Sequence, residues 1–284
     1  MPEPAVLDPA LVERLVRSAL EEDIGPGDVT SEATVPAEAR ARGRLLAKQD
    51  LVLAGLSVAL TAFRVLDPEV GWEGSVADGQ RVARGSVIGV LTGRARPMLG
   101  AERVALNFLQ RLSGIATLTR RFVDQVAATG VRIRDTRKTT PLLRSLEKHA
   151  VELGGGAPHR AGLASGILVK DNHVRLAGSV KEATRRAAAA PGGRMVEVEV
   201  VQPDQIEEAL AAGAQMILLD NFYPLGVHEA IRLVAGRVPV EVSGGVTLMN
   251  VRAFAEAGPT YIAIGGLTHS AAAVDISLEV ESCS

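Results

Sequence analysis

The chain has 284 residues, 47% of them hydrophobic and 23% charged, with a net charge of −2 at pH 7. That supplies core for one large domain or two, and it lacks the positive field of a nucleic-acid-binding or membrane-surface protein. Aromatic residues make up 3%, against a base-stacking platform, and the lone Cys283 excludes a disulfide framework or a cysteine metal cluster. No run nears the roughly 18 apolar residues of a membrane helix, and the acidic, proline-bearing start has no signal-peptide form. A cytoplasmic protein that binds neither nucleic acid nor membrane is the expectation.

Residues 8 to 22 are expected to form an amphipathic helix, with Asp8 as cap, Pro9 in the first turn, and Leu11, Leu15, Val16 and Leu20 on one face. Gly25-Pro26-Gly27-Asp28 follows as a turn. Short alternating strands are expected over 40–53 and 70–92, where Asp78-Gly79 and Arg84-Gly85 punctuate the pattern as hairpin turns do. That pattern is similar to the small sandwich of lipoyl-like folds, without their modified lysine. From Gly100 to about Thr129 the period turns helical through Val104, Phe108, Leu112, Ile115 and Phe122, and Gly114 is expected to break the run into two helices. The domain boundary falls near Leu112. It separates an N-terminal domain over 1–111 from strand–helix repeats over 112–270, and the tail 271–284 alternates like a strand returning to the first domain's sheet.

The repeats carry the chemistry. Six apolar runs each end on a charged, hydroxyl or glycine residue: VRIRDT before Arg137-Lys138, GILV before Lys170, MVEV before Glu199, MILL before Asp220, VEV before Ser243-Gly244-Gly245, and YIAI before Gly265-Gly266. Successive ends lie roughly 20 to 35 positions apart, room for one helix and two turns. Repeated strand–helix units close most simply into a parallel barrel, which carries its site at the carboxyl ends of the strands.

Asp135-Thr136 ends the first strand, placing Arg137 and Lys138 at the mouth, and Pro141 suits the first turn of the next helix. The loop Gly154-Gly155-Gly156 lets His159 and Arg160 approach the same opening. With Lys170 these cations could neutralise two carboxylates and a pyrophosphate, arginine through its planar fork and lysine as a point charge. Asp171, Asn172 and His173 are expected to brace the loop after Lys170. No second histidine stands at metal-ligand spacing from His173. Val196, Val198 and Val200 point one way, so Glu197 and Glu199 point into the barrel. Glu199 and Asp220 could hold ribose hydroxyls, bind magnesium through waters, and stabilise a sugar cation, with a salt bridge from Glu199 to Lys170 compatible with that role. Ser243-Gly244-Gly245, running into a helix near Leu248, and Gly265-Gly266 form two amide-lined phosphate turns. Nothing in the spacing assigns Arg103, early on the long helix.

These segments together resemble the quinolinate phosphoribosyltransferase family. The resemblance runs through EEDIGPGDVT, AERVALNFLQRLSGIAT, DTRKTTP, LEKHAV, the GGG loop, the His159-Arg160 pair, GILVKDNHV, VEVEV, ILLDN, EVSGG and IAIGGLTHS. It implies an α/β fold made of an N-terminal open α/β sandwich domain and an incomplete parallel α/β barrel of seven strands, of which six can be placed. It implies quinolinate and phosphoribosyl pyrophosphate as substrates, nicotinate mononucleotide and carbon dioxide among the products, and Mg2+ as cofactor. It also implies a homodimer with a shared active site, in which Arg103 reaches the neighbour's quinolinate; hexamer against dimer is left open. Thr136 falls within the matching DTRKTTP. Arg137, Lys138, His159, Arg160 and Lys170 match the positions for quinolinate and pyrophosphate. Glu199 and Asp220 match the ribose and magnesium carboxylates, and Ser243, Gly244, Gly245, Gly265 and Gly266 match the 5′-phosphate cradle. Lys138, Lys170, Glu199 and Asp220 are the expected catalytic set. The chain departs from the family pattern at His149, Glu152, Pro158 and Ser165, so that the glycine loop is altered. Two alternatives are a molybdenum-transport-associated paralogue, disfavoured by Lys170-Asp171, and a non-catalytic phosphate-metabolite sensor, disfavoured by the acidic pair. A third, nicotinate phosphoribosyltransferase, would have more cations than its single carboxylate needs.

Overall fold

The computed structural model describes residues 6–190 and 192–283. Helices α1 (Pro9–Ile24) and α2 (Val29–Thr34) precede strands β1 (Arg40–Ala47) and β2 (Leu51–Val52), helix α3 (Leu56–Leu66), strands β3 (Gly71–Gly74), β4 (Arg81–Val82) and β5 (Val87–Arg94), and helix α4 (Ala95–Gln125). Then come β6 (Arg132–Arg134), α5 (Arg144–Leu153), β7 (Ile167–Val169), α6 (Asp171–Ala177), α7 (Val180–Ala188), β8 (Val196–Val200) and α8 (Asp204–Ala211). The remaining elements are β9 (Met216–Asp220), α9 (Pro224–Val234), β10 (Val240–Ser243), α10 (Val251–Glu256), β11 (Tyr261–Ala263), α11 (Gly266–His269) and β12 (Ile276–Ser282). Two compact units result. One holds the residues up to Leu118, Ser145–Gly155 and those from Ser270 on; the other holds Thr119–Arg144 and Gly156–His269.

In the first unit an antiparallel sheet has the order β12-β1-β5-β3, and β2 pairs with β4. β1 buries Ala41, Gly43, Leu45 and Ala47 and exposes Arg40, Arg42 and Arg44, the period of a sheet covered on one face. β12 pairs antiparallel with β1 from Ala41↔Ser282 to Ala47↔Ile276. α1 starts where Asp8 accepts from the Ala10 N–H at 3.0 Å, and it buries Val12, Val16 and Leu20. Leu11 and Leu15 flank that face half-buried.

Three expectations are corrected. Gly114 does not break the long helix: α4 is continuous over 31 residues, and a Cβ at Gly114 would collide with the backbone carbonyl of Ala272. This glycine permits a close approach within the first unit. Pro141 does not open the next helix, because Leu142 takes a left-handed φ of +67°, and α5 begins at Arg144. Ser145–Gly155, read from the sequence as part of the second domain, clusters with the first unit. There Arg111 meets the fully buried Glu147 at 3.0 Å, and His149 and Leu153 line a groove with residues of α1 and α3.

The second unit is a six-stranded parallel sheet in the order β6-β11-β10-β9-β8-β7, so the α/β class holds. Its strands are short and rich in valine, leucine and isoleucine, with Val198, Ile217, Val242 and Ile262 fully buried, as in parallel sheets covered on both faces. Among the described residues the sheet holds the six strands placed from sequence, and β6 makes one further isolated parallel bridge, Arg134↔Ala157. In-register pairing aligns Asp220 with Ser243 and Ser243 with Ala263. These carboxyl ends therefore finish at one level. No helix among the described residues is long and apolar enough to cross a membrane.

Candidate active site at the carboxyl ends of the parallel strands

A cavity of about 580 Å³ opens where β6 to β11 end. Thr136, Arg137 and Lys138 line it after β6, and His159 and Arg160 reach it from the loop beyond Ala157. Lys170, Glu199 and Asp220 line it at the ends of β7, β8 and β9. The turns Ser243-Gly244-Gly245 after β10 and Gly265-Gly266 after β11 complete it. Arg103 is the expected site residue that does not line this cavity; it stands exposed on α4 in the first unit.

Arg137 and Arg160 form the cationic wall. The Nε of each is buried without a hydrogen-bond partner. Burial, and then the charge of Arg137, lower the Arg160 pKa, with Glu197 opposing. Two guanidiniums that repel one another and keep unspent donors suit a ligand with more than one negative group. Arg160 also donates to the Gly166 carbonyl at 3.0 Å. The Arg137 segment is held by Arg144, which donates to Thr139 Oγ1 at 3.0 Å, to the Ala161 carbonyl at 3.2 Å and to the Arg137 carbonyl at 3.4 Å. Thr268 Oγ1 donates to the Lys138 carbonyl at 2.8 Å.

The acidic wall faces it. Lys170 Nζ lies 2.9 Å from Glu199 Oε2. Burial, and then the charge of Glu199, raise the Asp220 pKa, against the lowering charges of Lys170 and Lys138 and a hydrogen bond from Asn221. That bond runs from Asn221 Nδ2 to Asp220 Oδ2 at 2.7 Å. The residues after Lys170 form the first turn of α6 and not the expected loop, and His173 braces that turn: the Lys170 backbone N–H donates to His173 Nδ1 at 2.8 Å.

The first glycine turn leads into its helix later than expected. The segment after Gly245 is a further turn in which Asn250 bridges, accepting from the Thr247 N–H at 2.7 Å and donating to the Gly245 carbonyl at 3.0 Å. α10 then starts at Val251 and not near Leu248. Gly244 has φ +95°, and a Cβ there would collide with Asn221 Oδ1. Only glycine fits this position.

Around His159 and Glu241, which line the cavity, is a group that strand reading left without a role. Arg134 Nη1 reaches Glu241 Oε2 at 2.6 Å and stacks on the Tyr261 ring at 4.2 Å. His159 Nε2 lies 3.3 Å from Glu197 Oε2 and 3.4 Å from Glu241 Oε1, and its Nδ1 accepts from the Arg160 backbone N–H at 2.7 Å. Both ring nitrogens are thus turned toward protein groups, while the residue lines the cavity. Glu241 stands two residues before Ser243 on the inward face of β10. That period was the available signal.

A strand-end cavity with clustered cations, a facing acid pair and two glycine turns defines an enzyme site for anionic, phosphorylated substrates. The comparisons narrow the class. Residues 28–113 match the quinolinate phosphoribosyl transferase N-terminal domain and residues 115–279 its C-terminal domain. The probable nicotinate-nucleotide pyrophosphorylase [carboxylating] of Bacillus subtilis is 42% identical over 270 residues, 95% of this chain and 93% of that protein. The nicotinate-nucleotide pyrophosphorylase [carboxylating] of Mycobacterium leprae is 42% identical over 274 residues, 93% and 95% of the two chains. The crystal structure of NadC from Streptococcus pyogenes superposes with a TM-score of 0.95 at 39% identity, covering 99% of this chain and 100% of that one. The chain belongs to the quinolinate phosphoribosyl transferase family.

Proposed function

We propose that this protein transfers the phosphoribosyl group of phosphoribosyl pyrophosphate to quinolinate, releasing pyrophosphate and carbon dioxide and forming nicotinate mononucleotide. The observation that carries the reading is the Arg137–Arg160 pair, with its two buried, unspent Nε donors, in one cavity with the Lys170–Glu199 pair and Asp220. A dicarboxylate fits the guanidinium wall, and a ribose fits beside the acids. Arg137, Arg160 and Lys138 orient the pyridine so that its nitrogen faces the anomeric carbon. The nitrogen–carbon bond forms as the bond to pyrophosphate breaks. Glu199 and Asp220 face the positive charge that develops on the sugar. The turns at Gly244-Gly245 and Gly265-Gly266 offer backbone N–H groups to the 5′-phosphate. When the 2-carboxylate leaves as carbon dioxide, its electron pair stays on the ring carbon beside the now cationic nitrogen, and that carbon takes a proton from solvent.

Magnesium belongs to the same reading. Asp220 and Glu199 form an all-oxygen donor pair, and the Asp220 pKa is raised by burial and by Glu199, a repulsion that a hard divalent cation relieves. The residues fit the ion, held through waters, and it would supply charge neutralisation at the pyrophosphate. The test of the whole is incubation with quinolinate, phosphoribosyl pyrophosphate and magnesium. Release of carbon dioxide together with pyrophosphate is expected. Binding of both substrates without release would point instead to a sensor, and preference for nicotinate would move the protein to another substrate.

A cytoplasmic homodimer with a shared site completes the proposal, supported by the family resemblance and by Arg103, which is exposed and absent from the lining of its own chain's cavity. Mixing Arg103→Ala with Lys138→Ala chains is expected to restore activity through hybrid dimers, in about a quarter of all sites if exchange is statistical. No recovery after subunit exchange would count against sharing. Gly244→Ala is expected to raise the KM for phosphoribosyl pyrophosphate about tenfold or more, since a left-handed alanine alone costs about 1–2 kcal/mol and here also displaces Asn221. Steady-state kinetics with each substrate varied in turn checks this.

A further inference from the structure

His159, which lines the cavity, is held through its backbone and both ring nitrogens by groups of the second unit. Its backbone N–H donates to Asp135 Oδ1 at 2.8 Å. Its Nε2 faces two carboxylates whose side chains are 3% and 0% exposed, Glu197 and Glu241. Its Nδ1 takes the Arg160 N–H. Carboxylates accept and cannot donate, so Nε2 carries a proton toward them. Burial alone would lower the His159 pKa; the hydrogen bonds and charges of Glu197 and Glu241 outweigh it and raise it to about 9. These three ligand-type residues have the spacing of a metal site, but the Arg134 guanidinium, 2.6 Å from Glu241, already brings positive charge to the group.

We propose that Glu197 and Glu241 are positioning residues for the substrate site: they anchor the His159 ring through Nε2, and the ring in turn fixes the backbone that carries Arg160. The inference rests on the proposed function for its kinetic consequence alone, because these contacts exist without substrate. Tyr261 and Arg134 serve as the backing. Arg134 pins Glu241 from the far side, and the Tyr261 ring holds the Arg134 plane. The acids therefore act on quinolinate through two intermediaries, the imidazole and the Arg160 main chain.

The cleaner variant is Glu197→Gln, because Glu241→Gln also strips Arg134 of its counter-charge. A glutamine is neutral, so it removes one of the two charges that hold the ring and raise its pKa. In the full chain labelled with 15N-histidine, with His159→Asn identifying the resonance, Glu197→Gln is expected to move the His159 titration to lower pH than in the wild type. In steady-state assays Glu197→Gln is expected to raise the quinolinate KM at least tenfold while leaving kcat and the KM for phosphoribosyl pyrophosphate within about threefold. Glu197→Gln combined with His159→Asn is expected to cost no more than His159→Asn alone, since both act on one path. An unchanged titration, equal losses for both substrates, or additive costs would overturn the inference. If the wild type releases no carbon dioxide from quinolinate, the proposed function fails, and the nitrogen spectra still decide the positioning.

Discussion

Lys170→Ala is expected to lower kcat/KM by about 100-fold or more, the scale of losing one preorganised charge at a reacting centre, and to move the acid limb of the pH–rate profile upward. The carboxylate of Glu199 is 8% exposed, and Lys170 at 2.9 Å is its ion-pair partner. Without that ammonium the two acids face each other with less to offset their repulsion. The sign is set by the charges around Asp220. Burial and Glu199 push its proton on, and Lys170 is one of the groups pulling it off. The anion is the form that faces the developing sugar charge, so rate falls as pH drops through the Asp220 pKa. Removing Lys170 lets the proton bind at higher pH, and the fall begins earlier on acidification. Lys170→Arg keeps a charge and should hold the limb near its wild-type position. A profile that does not move in Lys170→Ala would separate Asp220 from the reaction.

Arg160→Ala is the second large effect, directed at one substrate. Truncating one partner of a desolvated charge pair costs about 2–5 kcal/mol, which corresponds to a rise of about 30- to several-thousand-fold in the KM for quinolinate. The KM for phosphoribosyl pyrophosphate should change little, because its phosphate turns lie on β10 and β11. Arg160→Lys is not expected to rescue, since a point charge cannot reproduce the fork, and the contact to the Gly166 carbonyl would also be lost. Competition binding of quinolinate, measured by calorimetry without the second substrate, checks the assignment directly. Equal weakening of both substrates would assign Arg160 to general electrostatics.

Much of this architecture was legible because each parallel strand announces its end. MILL breaks off at Asp220 and VEV at Ser243-Gly244, where these buried strands leave the sheet. The helix starts were less legible. Leu142 and the Asn250 turn delay α5 and α10 by local backbone conformations that composition does not reveal. Gly114 read as a breaker because its reason lies more than 150 positions away, at the Ala272 carbonyl. Glu241 and Arg134 were hidden differently. On an inward strand face, an alternating charged residue reads as an anomaly until its partner is known, and here each partner comes from another strand.

The strand β12, paired along β1, has a consequence for biogenesis. During synthesis the edge of β1 stays without this neighbour until the ribosome has delivered the entire parallel sheet and the tail beyond it. The amino-terminal unit is begun early and its sheet completed late, by pairing that closes a loop containing the entire parallel sheet.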